Sequence, residues 1–269
     1  MKTKILSLII ITQLAACNSS DDFSEDFQHI RVYQDDQAIS CDNNSAISVK
    51  THGALLLDQG IEIHCSQKGA DGLSYPEACG SETGSINIFT IHKGDLDKAT
   101  ELGFSRVANL TSPQLDTMCE YKVISDHRKY KLLHQLSHAY DEWKSTDAAS
   151  YKFQYQKTFS DCPTFAPLPR VEITVANDTI ATIYDLTNDV FLTEFDGYPT
   201  IESLFEDIQL SLLLTPIEAG LSVDEPYLSP LYDATGTPLK YYINEGTEQC
   251  DGINYDLSDV EIISTNTAM

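Results

Sequence analysis

Apolar residues recur at every second position in some stretches of the chain and at every third or fourth in others, and the changes of period divide it into elements. "HIRVY" (His29–Tyr33), "IEIHC" (Ile61–Cys65) and "SINIFTIH" (Ser85–His92) alternate and predict strands. Between the first two, "NNSAISVKTHGALLLDQG" predicts a helix capped by Asn44 or Ser45 and ended by Gly60. "GDLDKATELG" predicts a short helix opened by Asp95 and stopped at Gly103, after which "FSRVANL" returns as a fourth strand. Further along, "HRKYKLLHQLSHAYDEW" predicts a helix with Leu133, Leu136, Tyr140 and Trp143 on one side. "YKFQYQ" alternates as a strand, and "RVEITVANDTIATIYDL" predicts a hairpin turning at Asn177–Asp178. "YPTIESLFEDIQLSLL" predicts a helix with Thr200 as N-cap and Ile201, Leu204, Phe205, Ile208 and Leu212 inward. "YLSPLYD", "TPLKYYI" and "DVEIIS" complete the strands.

The fold class expected from this order is α+β. The first set, over residues 28–120, runs βαββαβ, the order of a ferredoxin-like split βαβ sandwich with two helices on one face of a four-stranded sheet. The second set, over residues 126–265, predicts an antiparallel sheet with packed helices. Ahead of both, residues 17–27 form a polar tether that includes "NSSDDFSEDF".

The first sixteen residues have a different character. "MKTK" is followed by "ILSLIII", a run too short to span a bilayer and of the right length for the core of a secretory signal. "LAAC" (Leu14–Cys17) then resembles the lipobox of bacterial lipoproteins. That resemblance implies a signal peptide over residues 1–16, cleavage before Cys17, and lipid on its sulfur and new amino group. Each buried methylene contributes about 0.8 kcal/mol and two lipid signals give stable anchoring, so the membrane becomes a partner through the lipid. Asn18 after the cysteine resembles the pattern sorted to the outer membrane, so the expected location is the cell envelope, facing the periplasm.

Composition narrows the partners. The chain has 17 Lys and Arg against 41 Asp and Glu, a formal charge of −24, and loss of Lys2 and Lys4 with the signal makes it two more negative. Nucleic acid is excluded, because binding to it needs basic side chains that displace counterions. Six cysteines remain besides Cys17: Cys41, Cys65, Cys79, Cys119, Cys162 and Cys250. In an exported protein an even number predicts disulfides, and the absence of C-x-x-C argues against a thioredoxin-type site or a zinc ribbon. Keeping each pair within one domain gives Cys65 with Cys79, Cys41 with Cys119, and Cys162 with Cys250.

Candidate chemistry is sparse. In "HQLSH", His134 and His138 are four apart on one helical face, with Asp141 as a third ligand and His127 on the same side. Gln135 stands where a metalloprotease helix carries its glutamate base. "DGINYD" (Asp251–Asp256) reads as a turn, since it lacks the alternating acids of a calcium loop, and Ser74 in "DGLSYP" reads as a turn residue. The 14 tyrosines gather around "YKFQY" and "KYY", where strand aromatics serve packing or an exposed recognition row. No cofactor is expected. The leading expectation is a non-catalytic periplasmic binding or interaction module with an envelope protein as a partner. The alternative is a metal-binding protein or metal-dependent enzyme using His134 and His138.

The stretch holding "YKFQYQ", "VEITVANDTIATI", "YPTIESLFEDI" and "LYDATGTPLKYYI" resembles a family of small bacterial envelope lipoproteins of unknown function, over Asp126–Ile263. Members carry Cys-x-Cys after the tyrosine-rich strand and "GYP" in the late hairpin. Here Cys162 is followed by Pro163 and the hairpin reads "GTP", so the family's disulfide pattern does not transfer. The stretch from Gly60 to Phe104 resembles a short cysteine-containing domain of exported proteobacterial proteins, also of unknown activity.

Overall fold

Alternating burial organises both sheets of this α+β protein. The computed structural model describes residues 28–42, 45–115, 119, 122–160, 162–163, 168–247 and 249–263, which hold two antiparallel sheets and four α-helices. The first sheet is built from β1 (His29–Asp35), β2 (Ile63–Ala70), β3 (Ser85–His92), β4 (Ser105–Arg106) and β5 (Gln114–Leu115), in the order β4-β1-β3-β2-β5. Helix α1 (Val49–Asp58) joins β1 to β2, and α2 (Leu96–Glu101) joins β3 to β4. Central β3 buries both faces. Phe89 and Ile91 pack with Val32, Leu56 of α1 and Ala99 of α2, whereas Ile86 and Ile88 lie under Val107, Leu110 and Leu115.

Three local features around the first sheet differ from the sequence expectation. Ser48, not Asn44 or Ser45, caps α1, its Oγ accepting from Thr51 N at 3.0 Å. The Ser45 hydroxyl is engaged earlier, donating to Asp42 O and accepting from Ile39 N, and Asn44 lies outside the described residues. "FSRVANL" gives only two strand residues, because Val107–Asn109 turns into a 3-10 helix that brings Val107 onto the second face of β3. The β5 edge strand had no alternating pattern to announce it.

The second sheet runs β10-β12-β13-β6-β7-β8-β9, with β11 on β12. Its strands are β6 (Ser150–Ser160), β7 (Val171–Ala176), β8 (Thr179–Asp185), β9 (Val190–Phe191), β10 (Glu218–Gly220), β11 (Leu231–Tyr232), β12 (Pro238–Asn244) and β13 (Gly252–Ile262). Helices α3 (Asp126–Ser145) and α4 (Ile201–Leu213) cover one face, against Phe153, Ile173, Tyr241 and Leu257. The β7–β8 hairpin turns at Asn177 and Asp178, both with positive φ (51° and 63°), the conformation that two-residue hairpins require. Thr200 caps α4 as expected and forms a capping box with Ser203. The buried stripe of α3 is Lys129, Leu132, Leu136, Ala139 and Trp143, one residue around from the expected face, and Leu133 and Tyr140 flank it partly buried. "DGINYD" is mostly strand rather than turn: β13 starts at Gly252, and Tyr255 is buried.

The disulfides are Cys41–Cys79, Cys65–Cys119 and Cys162–Cys250. The last agrees with the sequence expectation, and the first two correct Cys65–Cys79 and Cys41–Cys119. Cys65 lies near the start of β2, and the strand carries the chain roughly 17 Å away from it before the loop holding Cys79 begins. That loop instead lies beside residues 38–40, with Gly80 N on Ser40 O and Thr83 N on Ala38 O. Cys119 follows β5, which pairs with the outer edge of β2.

The two sheets meet through buried polar contacts. Leu214, just past α4, enters the core of the first sheet, and Gly53 of α1 leaves it room, since a Cβ there would stand 2.3 Å from Leu214 Cδ2. Lys129 is buried and donates to Ile63 O at 2.8 Å and Thr215 Oγ1 at 2.9 Å, while Ser66 Oγ donates to Leu214 O at 2.8 Å. Among the described residues no helix is long and apolar enough to cross a membrane.

Candidate functional site

A cleft of about 730 Å³ opens between the two sheets, within the usual range for small-molecule sites. One wall is β2 with the start of α1, and the other is the end of α4 with the residues after β12. Its charges are spent on one another. Asp36, fully buried, accepts from Lys68 Nζ, from Ser85 Oγ at 2.7 Å and from Ala38 N at 3.0 Å. Burial opposes the charge on Asp36, but these bonds and the Lys68 charge outweigh it and hold the carboxyl below its usual value. Lys50 of α1 bridges Asp207 of α4 at 2.7 Å and Glu245 at 2.8 Å, so this pair of contacts fixes the two walls. Burial lowers the Lys50 affinity for a proton, and its two carboxylate partners more than reverse that. With Asp36, Glu245 and Asp251 against Lys50 and Lys68, the lining leans acidic and disfavours anions.

Beyond Asp207 lies a second hollow of about 290 Å³, bounded by β6, β13 and α4. Asp207 separates the two spaces: Oδ1 faces Lys50, and Oδ2 accepts from Tyr255 OH at 2.7 Å. Burial works against its charge too, and Lys50 and Tyr255 hold its carboxyl below the ordinary value. Tyr155, Lys157, Tyr198 and Ser203 line the rest. Burial pushes the Lys157 amine down, against the pull of Asp207 and Glu245.

Of these residues, the sequence reading touched only Tyr155, within "YKFQY", and Asp251 and Tyr255, within "DGINYD", and it brought none of them together. The available signal was Lys157 continuing the inward row Tyr151, Phe153, Tyr155, where an apolar residue is expected. The residues that were singled out are elsewhere. His127, His134, His138 and Asp141 lie exposed on α3, and His138 Nδ1 faces Glu142 at 3.5 Å. Among the described residues no group of three or more His, Cys, Asp or Glu is arranged to hold a metal ion. Ser74 is exposed in the β2–β3 connection, and Cys17 lies outside the described residues.

No curated protein and no solved structure matches the chain. Residues 135–215, from within α3 through β6–β9 to just past α4, match a family of unknown function (DUF6174).

Proposed function

We propose that this chain is a lipoprotein of the bacterial cell envelope, a non-catalytic binding module held at the outer membrane through Cys17 and receiving its ligand in the cleft between the sheets. The observation that carries the binding role is the cleft itself, built by both sheets and braced by Lys50 between Asp207 and Glu245. Its titratable groups are engaged in holding the walls rather than poised for proton transfer, which favours binding over catalysis. The first sheet is read as ferredoxin-like. Its order β4-β1-β3-β2 and its two helices on one face support this, with β5 as an added edge.

The test is a photo-cross-linking amino acid at Ala46 on the cleft, compared with one at exposed Lys144, in the full-length protein in cells. The Ala46 position is expected to trap a defined adduct that the Lys144 position does not, and Cys17→Ala is expected to lose membrane fractionation. Identical adducts from both positions would sink the cleft reading. Turnover of an envelope substrate by purified protein, abolished by one point mutation, would sink the non-catalytic one.

A further inference from the structure

The geometry points to the hollow beside Asp207 as a binding site for a small carboxylate-bearing molecule, held by the Lys157 ammonium and the Tyr155 hydroxyl. Both residues lie on β6, two apart, so both project to the helix-covered face of the sheet. Lys157 passes over the rings of Phe159 and Tyr255, with Nζ 5.4 and 5.7 Å from their centroids. Ring faces attract the charge but leave the directional N–H donors of an ammonium unused. Among the described residues no acceptor reaches Nζ. Tyr155 is 2% exposed, and its hydroxyl lines the hollow with no hydrogen-bond partner among the described residues.

An ammonium and a nearly buried phenol at one hollow, neither with an acceptor among the described residues, suit an acceptor-only group of negative charge, and a carboxylate is that group. Asp207 borders the same space but does not fill the role, since Lys50 and Tyr255 hold its two oxygens. A volume of about 290 Å³ admits a small molecule rather than a folded segment. A bound carboxylate also offsets the burial that depresses the Lys157 amine. This site is separate from the cleft and needs no membrane attachment, so it stands or falls independently of the function proposed above.

The experiment is calorimetric titration of the full-length protein with propionate and with acetyl-alanyl-alanine, each against its own amide. The first probe represents a free acid and the second a peptide C-terminus, so whichever binds identifies the source. At least one acid is expected to saturate, with its amide about tenfold weaker or worse. Lys157→Met is expected to weaken it by about tenfold or more and Tyr155→Phe by several-fold, with the unfolding midpoint retained. In the unmutated protein with ¹³C-dimethylated lysines, the Lys157 signal is expected to titrate at higher pH when the acid is bound. That measurement decides the matter even where Lys157→Met fails to fold. No binding of either acid up to about 10 mM, equal binding of acid and amide, or a Lys157 titration that the acid leaves unchanged would each overturn the proposal.

Discussion

Two buried polar side chains in the first half of the molecule have similar burial and opposite consequences. Gln67 of β2 lies opposite Ile88, and neither atom of its amide has a hydrogen-bond partner among the described residues. An unsatisfied buried polar group costs about 1–3 kcal/mol, whereas an apolar group of similar shape carries no such cost. Gln67→Leu is therefore expected to stabilise the protein by about 1 kcal/mol, seen as a higher urea midpoint at unchanged slope. A lower midpoint would show that the amide is paired in solution. Lys129, by contrast, donates to Ile63 O and Thr215 Oγ1, and burial lowers its proton affinity without removing those bonds. Lys129→Ala loses the bonds and the packing of the stem together, and is expected to cost about 2–4 kcal/mol in the same measurement. The sequence reading did not single out Lys129, which lies in the buried stripe of α3. Its partners lie 66 and 86 positions away.

At the level of elements, legibility followed the locality of the determining interactions. The β7–β8 hairpin and α4 were readable because turn chemistry and cap lie within a few residues of what they control. Thr200→Ala is accordingly expected to cost about 1 kcal/mol, since it removes the acceptor of Ser203 N at 3.1 Å while Tyr151 OH still accepts from Ile201 N. Thermal unfolding of Thr200→Ser, which keeps the acceptor, provides the control, and an equal loss in both variants would refute the capping role. The α1 cap, the short β4 and the β5 edge were missed for the opposite reason. Each depends on what the segment covers or pairs with in three dimensions: the hydroxyl of Ser45 taken by an earlier loop, Val107 drawn onto Ile86 and Ile88, and Gln114–Leu115 docked on β2. The candidate site was illegible on the same grounds. Its cleft exists only where α1 meets α4, and Lys50, Asp207 and Glu245 come from three distant segments with no common motif.

For the whole molecule, acidification sets local losses against a global gain. The folded chain carries a large negative charge, so protonation toward its isoelectric point near 4.4 relieves self-repulsion. Against that stands His52, buried on α1, whose Nδ1 is 2.9 Å from Asn87 Nδ2. The amide donates to Nδ1, so a proton there would replace the bond with two donors facing each other. Burial, then the charge on Lys68, holds the His52 pKa below 6.5, and burial followed by neighbouring His29 does the same for His64. Below pH 6.5 the unfolded chain therefore takes up protons that the folded chain refuses, and stability falls until the folded pKa is passed. Asp36 and Asp207 act in a lower window. Their folded pKa values lie below 3.8, so the stability they contribute is intact above 3.8 and is lost as pH falls through the folded values. Because the relief of repulsion is common to all variants, differences between variants isolate the local terms. Urea unfolding at a series of pH values from about 8 to about 3 is expected to show a shallower decline between pH 7 and 5 for His52→Gln than for the unmodified chain, with the lower step unchanged. Asp207→Asn is expected to do the reverse, flattening the lower step, and a His52→Gln profile parallel to the parent's between pH 7 and 5 would remove His52 as the source of the first loss.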